Sequence, residues 1–81
     1  MKARVKLPDC FDKLLRSQLE TAIYESVLDR EDTIIATRYI IEKTPQIEIA
    51  AELGYERSTI SRRINKFLPR IINTIIKLNL H

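Results

Sequence analysis

The chain has no tryptophan, one glycine, one cysteine and one histidine in 81 residues. Each scarcity removes a class of function. A single Gly argues against a turn-rich all-β domain and against a Gly-rich phosphate loop. One Cys cannot supply an intramolecular disulfide framework or a cysteine-based zinc site, and it fits a reducing compartment. The only histidine is residue 81, so a histidine-centred catalytic or metal site is not expected. No apolar stretch approaches the roughly 20 residues of a membrane helix, and no signal-peptide core follows Met1. These absences leave a cytoplasmic helical module in one domain spanning residues 1–81. It is too poor in reactive groups to suggest an enzyme, and it calls for no cofactor or metal.

What is present is charge, unevenly placed. The formal net charge of +3 conceals two different halves. Residues 1–44 carry eight Lys/Arg and eight Asp/Glu. From Arg57 onward there are six cations and no acid. A local excess of that kind suggests a polyanion partner.

Periodicity predicts the elements. Residues 2–8 (KARVKLP) lack helical spacing and read as an extended arm, with Asp9 as a cap. Phe11, Leu14, Leu15, Leu19, Ala22, Ile23, Val27 and Leu28 recur at three- and four-residue steps, which predicts an amphipathic helix from Cys10 to Leu28. Asp29 and Asp32 are candidate caps for a second helix running to about Lys43. It ends there because Thr44 precedes proline. Thr44 is expected to cap a short third helix with Pro45 at its first position. Gly54 stops that helix, and a fourth begins near Glu56 or Arg57 and runs to about Leu68. Pro69 either kinks this helix or opens a fifth over 69–80. The expected fold is all-α, a compact bundle of four to five helices.

The informative stretch is 44–67, TPQIEIAAELGYERSTISRRINKF. Gly54 lies between two helical patterns, where a tight turn needs the left-handed conformation that glycine takes without steric cost. Ala50, four residues earlier, lets two helices cross closely. Ile49 and Leu53 before the turn, and Tyr55, Ile60 and Ile64 after it, supply faces that can meet. This is a helix-turn-helix pattern with its core at 44–68. In the second helix Arg57, Ser58, Ser61, Arg62 and Asn65 share one side, opposite Ile60, Ile64 and Phe67. Arg can bond both guanine acceptors in the major groove, Asn can do the same for adenine, and Ser suits base or phosphate. Arg63, Lys66 and Arg70 are expected phosphate contacts.

These residues resemble region 4 of sigma-70-type RNA polymerase sigma factors and the small sigma-like regulators of phages and mobile elements. The resemblance covers residues 28–68. It rests on Leu28-Asp29-Arg30-Glu31, Arg38-Tyr39, Glu48-Ile49-Ala50-Ala51-Glu52-Leu53-Gly54 and Ser58-Thr59-Ile60-Ser61-Arg62-Arg63. It implies major-groove binding by the helix 57–67, with Arg38 and Gln46 near the DNA backbone. The family caps its recognition helix with Ser or Thr where this chain has Glu56. It continues in a basic tail where this chain has Pro69 and an Ile-rich segment. Nothing resembles sigma region 2, so a complete sigma factor is not expected.

The leading expectation is therefore a sequence-specific double-stranded DNA-binding protein, a bacterial or phage transcriptional regulator. Two alternatives stand beside it. One is a protein-interaction module that binds RNA polymerase or an anti-sigma-type partner. The other is a DNA-processing accessory factor of a mobile element. After Pro69, Ile71, Ile75 and Leu78 form one apolar stripe, and Ile72, Ile76 and Leu80 form another. The second stripe predicts a homodimer through the C-terminal helix.

Overall fold

A computed structural model describes Phe11 and residues 14–78. The arm 2–8, the Asp9 cap, Cys10 and Leu80 lie outside the described residues. Among the described residues there are four helices and no strand: α1 (Arg16–Glu25), α2 (Arg30–Ala36), α3 (Gln46–Leu53) and α4 (Arg57–Leu78). This is the all-α bundle that the periodicity predicts. No helix among them is long and apolar enough to cross a membrane.

α4 is the spine, and α1, α2 and α3 pack on it. One face of α4 carries Ile60, Ile64, Phe67, Leu68, Ile71 and Ile75, all buried. Into this ridge fit Leu19, Ala22 and Ile23 of α1, Ile35 and Ala36 of α2, and Ile49 and Ala50 of α3. Burial of a Leu, Ile or Phe side chain stabilises by roughly 1.5–3 kcal/mol, so this shared face is the main cohesive element.

The helix expected over Cys10–Leu28 is interrupted. Phe11 is helical, but Leu15 is extended (φ −71°, ψ 157°) with its N–H donating to Gln18 Oε1 at 2.9 Å, and α1 starts after it at Arg16. Phe11 is nonetheless tucked into the core. At the other end Val27 takes φ +53°, a conformation that a β-branched residue rarely adopts. The Ser26 hydroxyl reaches the Ala22 carbonyl at 2.7 Å and the Thr74 hydroxyl at 2.9 Å. That contact ties the end of α1 to the second half of α4.

α2 starts as its sequence predicts. Asp29 caps it, with Oδ1 accepting from the Asp32 N–H at 2.7 Å. The following residues differ from expectation. Thr37–Ile41 form a π-helical turn rather than more α-helix, closed by the Glu42 N–H donating to the Thr37 carbonyl at 3.1 Å. Lys43 then turns left-handed at φ +57°. The cap of α3 moves by one residue: Pro45, not Thr44, holds that place, and its carbonyl accepts from Glu48 and Ile49.

Pro69 lies inside α4 and opens no fifth helix. It is exposed, as is Asn65 one turn earlier. The Asn65 carbonyl, which loses its α-helical donor to the proline ring, is therefore on the solvent side. The predicted second apolar stripe is only partly covered. Ile71 and Ile75 are buried, Ile72 is half-buried, and Ile76 is 60% exposed.

Candidate nucleic-acid interface

α3 and α4 are joined through Gly54, which has φ 78° and ψ 27°. Its left-handed conformation ends α3, and the Gly54 and Tyr55 N–H groups both donate to the Ala50 carbonyl. The Glu56 carbonyl then accepts from Thr59 and Ile60, which starts α4. A short helix, a tight turn and a longer helix follow one another, crossing where Ala50 is 3% exposed.

The outward face of the first half of α4 presents Arg57, Ser58, Arg62, Asn65 and Lys66, all exposed, with Ser61 partly covered. Arg57, Arg62, Lys66 and Arg70 make no ion pair with any described residue. The structure thus brings together the six side chains that spacing placed on one face or at its edge.

Three other expected residues are placed differently. Arg63 points along the flank of α4 and is bound within the protein. Its guanidinium pairs with Glu31, lies with Nε 3.0 Å from Asp32 Oδ1 and Nη2 3.8 Å from Asp29 Oδ2, and sits 5.8 Å from the Tyr55 ring centroid. The Asp32 contact is an ion pair without hydrogen-bond alignment. Arg38 is also engaged: Nη1 is 2.9 Å from Glu42, and Nη2 pairs with Glu52 of α3. That pairing fastens the π turn to the helix-turn-helix. Gln46, expected near a DNA backbone, is buried, and its Nε2 donates to the Tyr39 hydroxyl at 3.4 Å. All three thus have partners within the chain. Arg63 and Arg38 reach segments distant in sequence, whereas Arg38 and Gln46, expected near a DNA backbone from the resemblance, also bond Glu42 and Tyr39 close by.

The knot around Arg63 has a definite electrostatic pattern. Arg63, and then the Tyr55 hydroxyl donating at 2.7 Å, hold the Glu31 carboxyl below its ordinary range. The same hydrogen bond raises the Tyr55 phenol. Burial raises Asp32 despite the nearby guanidinium. Sequence reasoning treated Asp29, Glu31 and Asp32 only as helix-start acids. No local spacing reveals their partner, which lies over 30 residues away.

Two surface clefts border the face. One, of about 460 Å³, is lined by Tyr39, Pro45, Gln46, Ile47 and Arg57 at the start of α3. The other, of about 290 Å³, is lined by Asp29, Asp32, Arg62, Arg63 and Lys66. No group of three or more potential metal ligands occurs among the described residues. Comparison of the chain with protein-family models, curated proteins and solved structures gives no match.

Proposed function

We propose that this protein is a sequence-specific double-stranded DNA-binding regulator of transcription, of bacterial or phage type. It reads the major groove with residues 57–67 of α4. The observation that carries this reading is the outward face of α4. Arg57, Ser58, Arg62 and Asn65 stand exposed on a helix held by a glycine turn against a second helix. Arg62 and Asn65 have the donor and acceptor sets that pair bidentately with guanine and adenine, and Lys66 and Arg70 beside them suit phosphates. The resemblance to sigma region 4 supports the same mode of docking.

Selection of bound sequences from random duplex DNA tests this. The expected result is a defined motif. On that motif Asn65→Ala costs roughly 1–3 kcal/mol and relaxes discrimination at one base pair. Binding without sequence enrichment would remove the specific reader from the proposal, and no binding would remove DNA altogether.

A second reading rests on the far end of α4. Ile76 is 60% exposed and Leu78 38% exposed, beyond the part that would occupy a groove. This apolar end supports a protein contact, either a homodimer or a polymerase-type partner. A dimer would set two recognition helices on two half-sites about one DNA turn apart. Light scattering at micromolar concentration tests the dimer. A monomer mass that Ile76→Glu leaves unchanged would sink it.

A further inference from the structure

We propose that Arg63 is a positioning residue: its hydrogen bond to Glu31, with Asp32 paired beside it and Tyr55 behind, sets the roll of α4 about its own axis and so decides which side chains reach base edges. This rests on the DNA-binding reading above.

Three observations carry it. First, the contacts that hold α4 against the bundle are mostly apolar, a ridge from Ile60 to Ile75, and the Ser26–Thr74 hydrogen bond lies at the far half of the helix, away from residues 57–67. Interdigitated side chains hold the helix in one coarse orientation, and apolar burial, being non-directional, leaves its finer roll to polar contacts. Second, Arg63 projects from the flank between that ridge and the exposed face, where a directional contact has the greatest leverage on rotation. Hydrogen bonds to ionised groups supply that direction. Third, its partners belong to two other segments, the start of α2 and the Gly54 turn. Glu31 bonds Arg63 and Tyr55 together, so one carboxylate joins the recognition helix, the turn and α2.

The required precision follows from helix dimensions. A side-chain tip lies roughly 5 Å from the helix axis, so a roll of about 20° moves it by roughly 2 Å. Base-edge hydrogen bonds span only about 2.7–3.2 Å between heavy atoms. A roll of that size breaks a bidentate contact while leaving long, flexible cations within reach of phosphates. Loss of the knot should therefore reduce specific binding and leave non-specific binding nearly intact.

Glu31→Gln, Arg63→Gln and the double variant decide the matter. Each is measured on the selected duplex and on a random duplex across a salt series, with the folded fraction taken from circular dichroism. All three should lower affinity for the selected duplex by about tenfold, the scale of one lost base contact. Affinity for the random duplex should stay within about twofold, and the salt slope of Arg63→Gln should match that of the parent. The double variant should be no worse than the poorer single one. A slope reduced by about one unit in Arg63→Gln, with parallel losses on both duplexes, would make Arg63 a phosphate contact and overturn the proposal. Normal specific affinity of folded Glu31→Gln would make the knot purely structural. That variant keeps Arg63 and alters a partly exposed side chain, so it decides even where Arg63→Gln does not fold. If the parent protein binds neither duplex, the DNA reading itself falls. If the parent discriminates and the variants do so equally, only the positioning role falls.

Discussion

Replacing Pro69 with Ala tests whether the recognition helix is a single rod. Pro69 lies thirteen positions into a 22-residue helix. There it removes one backbone hydrogen bond and crowds the preceding turn. Proline in a helix interior is about 3 kcal/mol less favourable than alanine. Two features reduce that figure. Pro69 and Asn65 are exposed, so the orphaned carbonyl has solvent. Proline also narrows the unfolded ensemble, which favours the native chain by roughly 0.4–1 kcal/mol. The expected net gain for Pro69→Ala is about 2 kcal/mol. For a domain of this size that raises Tm by roughly 8–16 °C, measured by circular dichroism at 222 nm. Were 57–68 and 69–78 two separate helices, Pro69 would stand at a first helical position, where a missing N–H costs nothing. The substitution would then be nearly neutral. An unchanged or lowered Tm therefore refutes the continuous helix.

The other perturbations address the turn, the strained end of α1, the charges and the acid response. An added Cβ at Gly54 meets nothing within 4 Å, so the whole penalty of Gly54→Val is conformational: more than about 1 kcal/mol in urea denaturation, and clearly less for Gly54→Asn, which tolerates positive φ. Val27 is 76% exposed with φ +53°, so Val27→Gly gives up little burial and should stabilise by about 1 kcal/mol; a loss would show that the side chain makes contacts of value. Alanine at Lys66 or Arg70 should each lower the salt slope of DNA binding by about one unit, and alanine at Arg38 should leave it unchanged. Glu31, held below its usual carboxyl range, stabilises the fold above its unfolded value near 4.5, and that contribution is lost as pH falls through the lowered value. Asp32, raised by burial, works in the opposite sense and costs stability as pH rises through its raised value. Stability against pH should therefore have a shallower acid limb in Glu31→Gln and a steeper one in Asp32→Asn.

Which parts of the molecule were legible follows from the range of the forces involved. Gly54 was readable because left-handed turns have a local chemical requirement. The exposed face of α4 was readable because a 3.6-residue period sorts Ser58, Arg62 and Asn65 from Ile60 and Ile64. Asp29 was readable as a cap because its acceptor reaches only three residues ahead. The π turn at Thr37–Ile41 carried no such local sign. Its sequence, TRYII, suits an α-helix equally well, and the widening is accompanied by the pull of Glu52 on Arg38 from another helix. The early end of the first helix was equally hidden. The spacing of Phe11, Leu14 and Leu15 continues the helical period, yet Leu15 is 68% exposed, while Phe11 enters the core and Leu14 packs against its edge.

The charge pattern also changes meaning once the chain is folded. An acid-free stretch from Arg57 onward suggests six cations facing outward, balanced by a neutral first half. The fold withdraws Arg63 from that set and binds it to three carboxylates of the first half. Those carboxylates outnumber the guanidinium they hold, so their surplus charge sits beside Arg62 and Lys66 in the same cleft. One flank of the recognition helix is thereby nearly neutral. The opposite flank carries Arg57 and the serine edge, with Glu56 as its neighbouring acid. Local charge of this kind steers an encounter, while hydrogen-bond geometry discriminates among bases. Asp29 is the residue through which the two effects separate. Asp29→Asn preserves the cap of α2, since asparagine caps as well as aspartate, and removes one negative charge from that flank. Association should become faster at low salt, and the preferred sequence should stay the same.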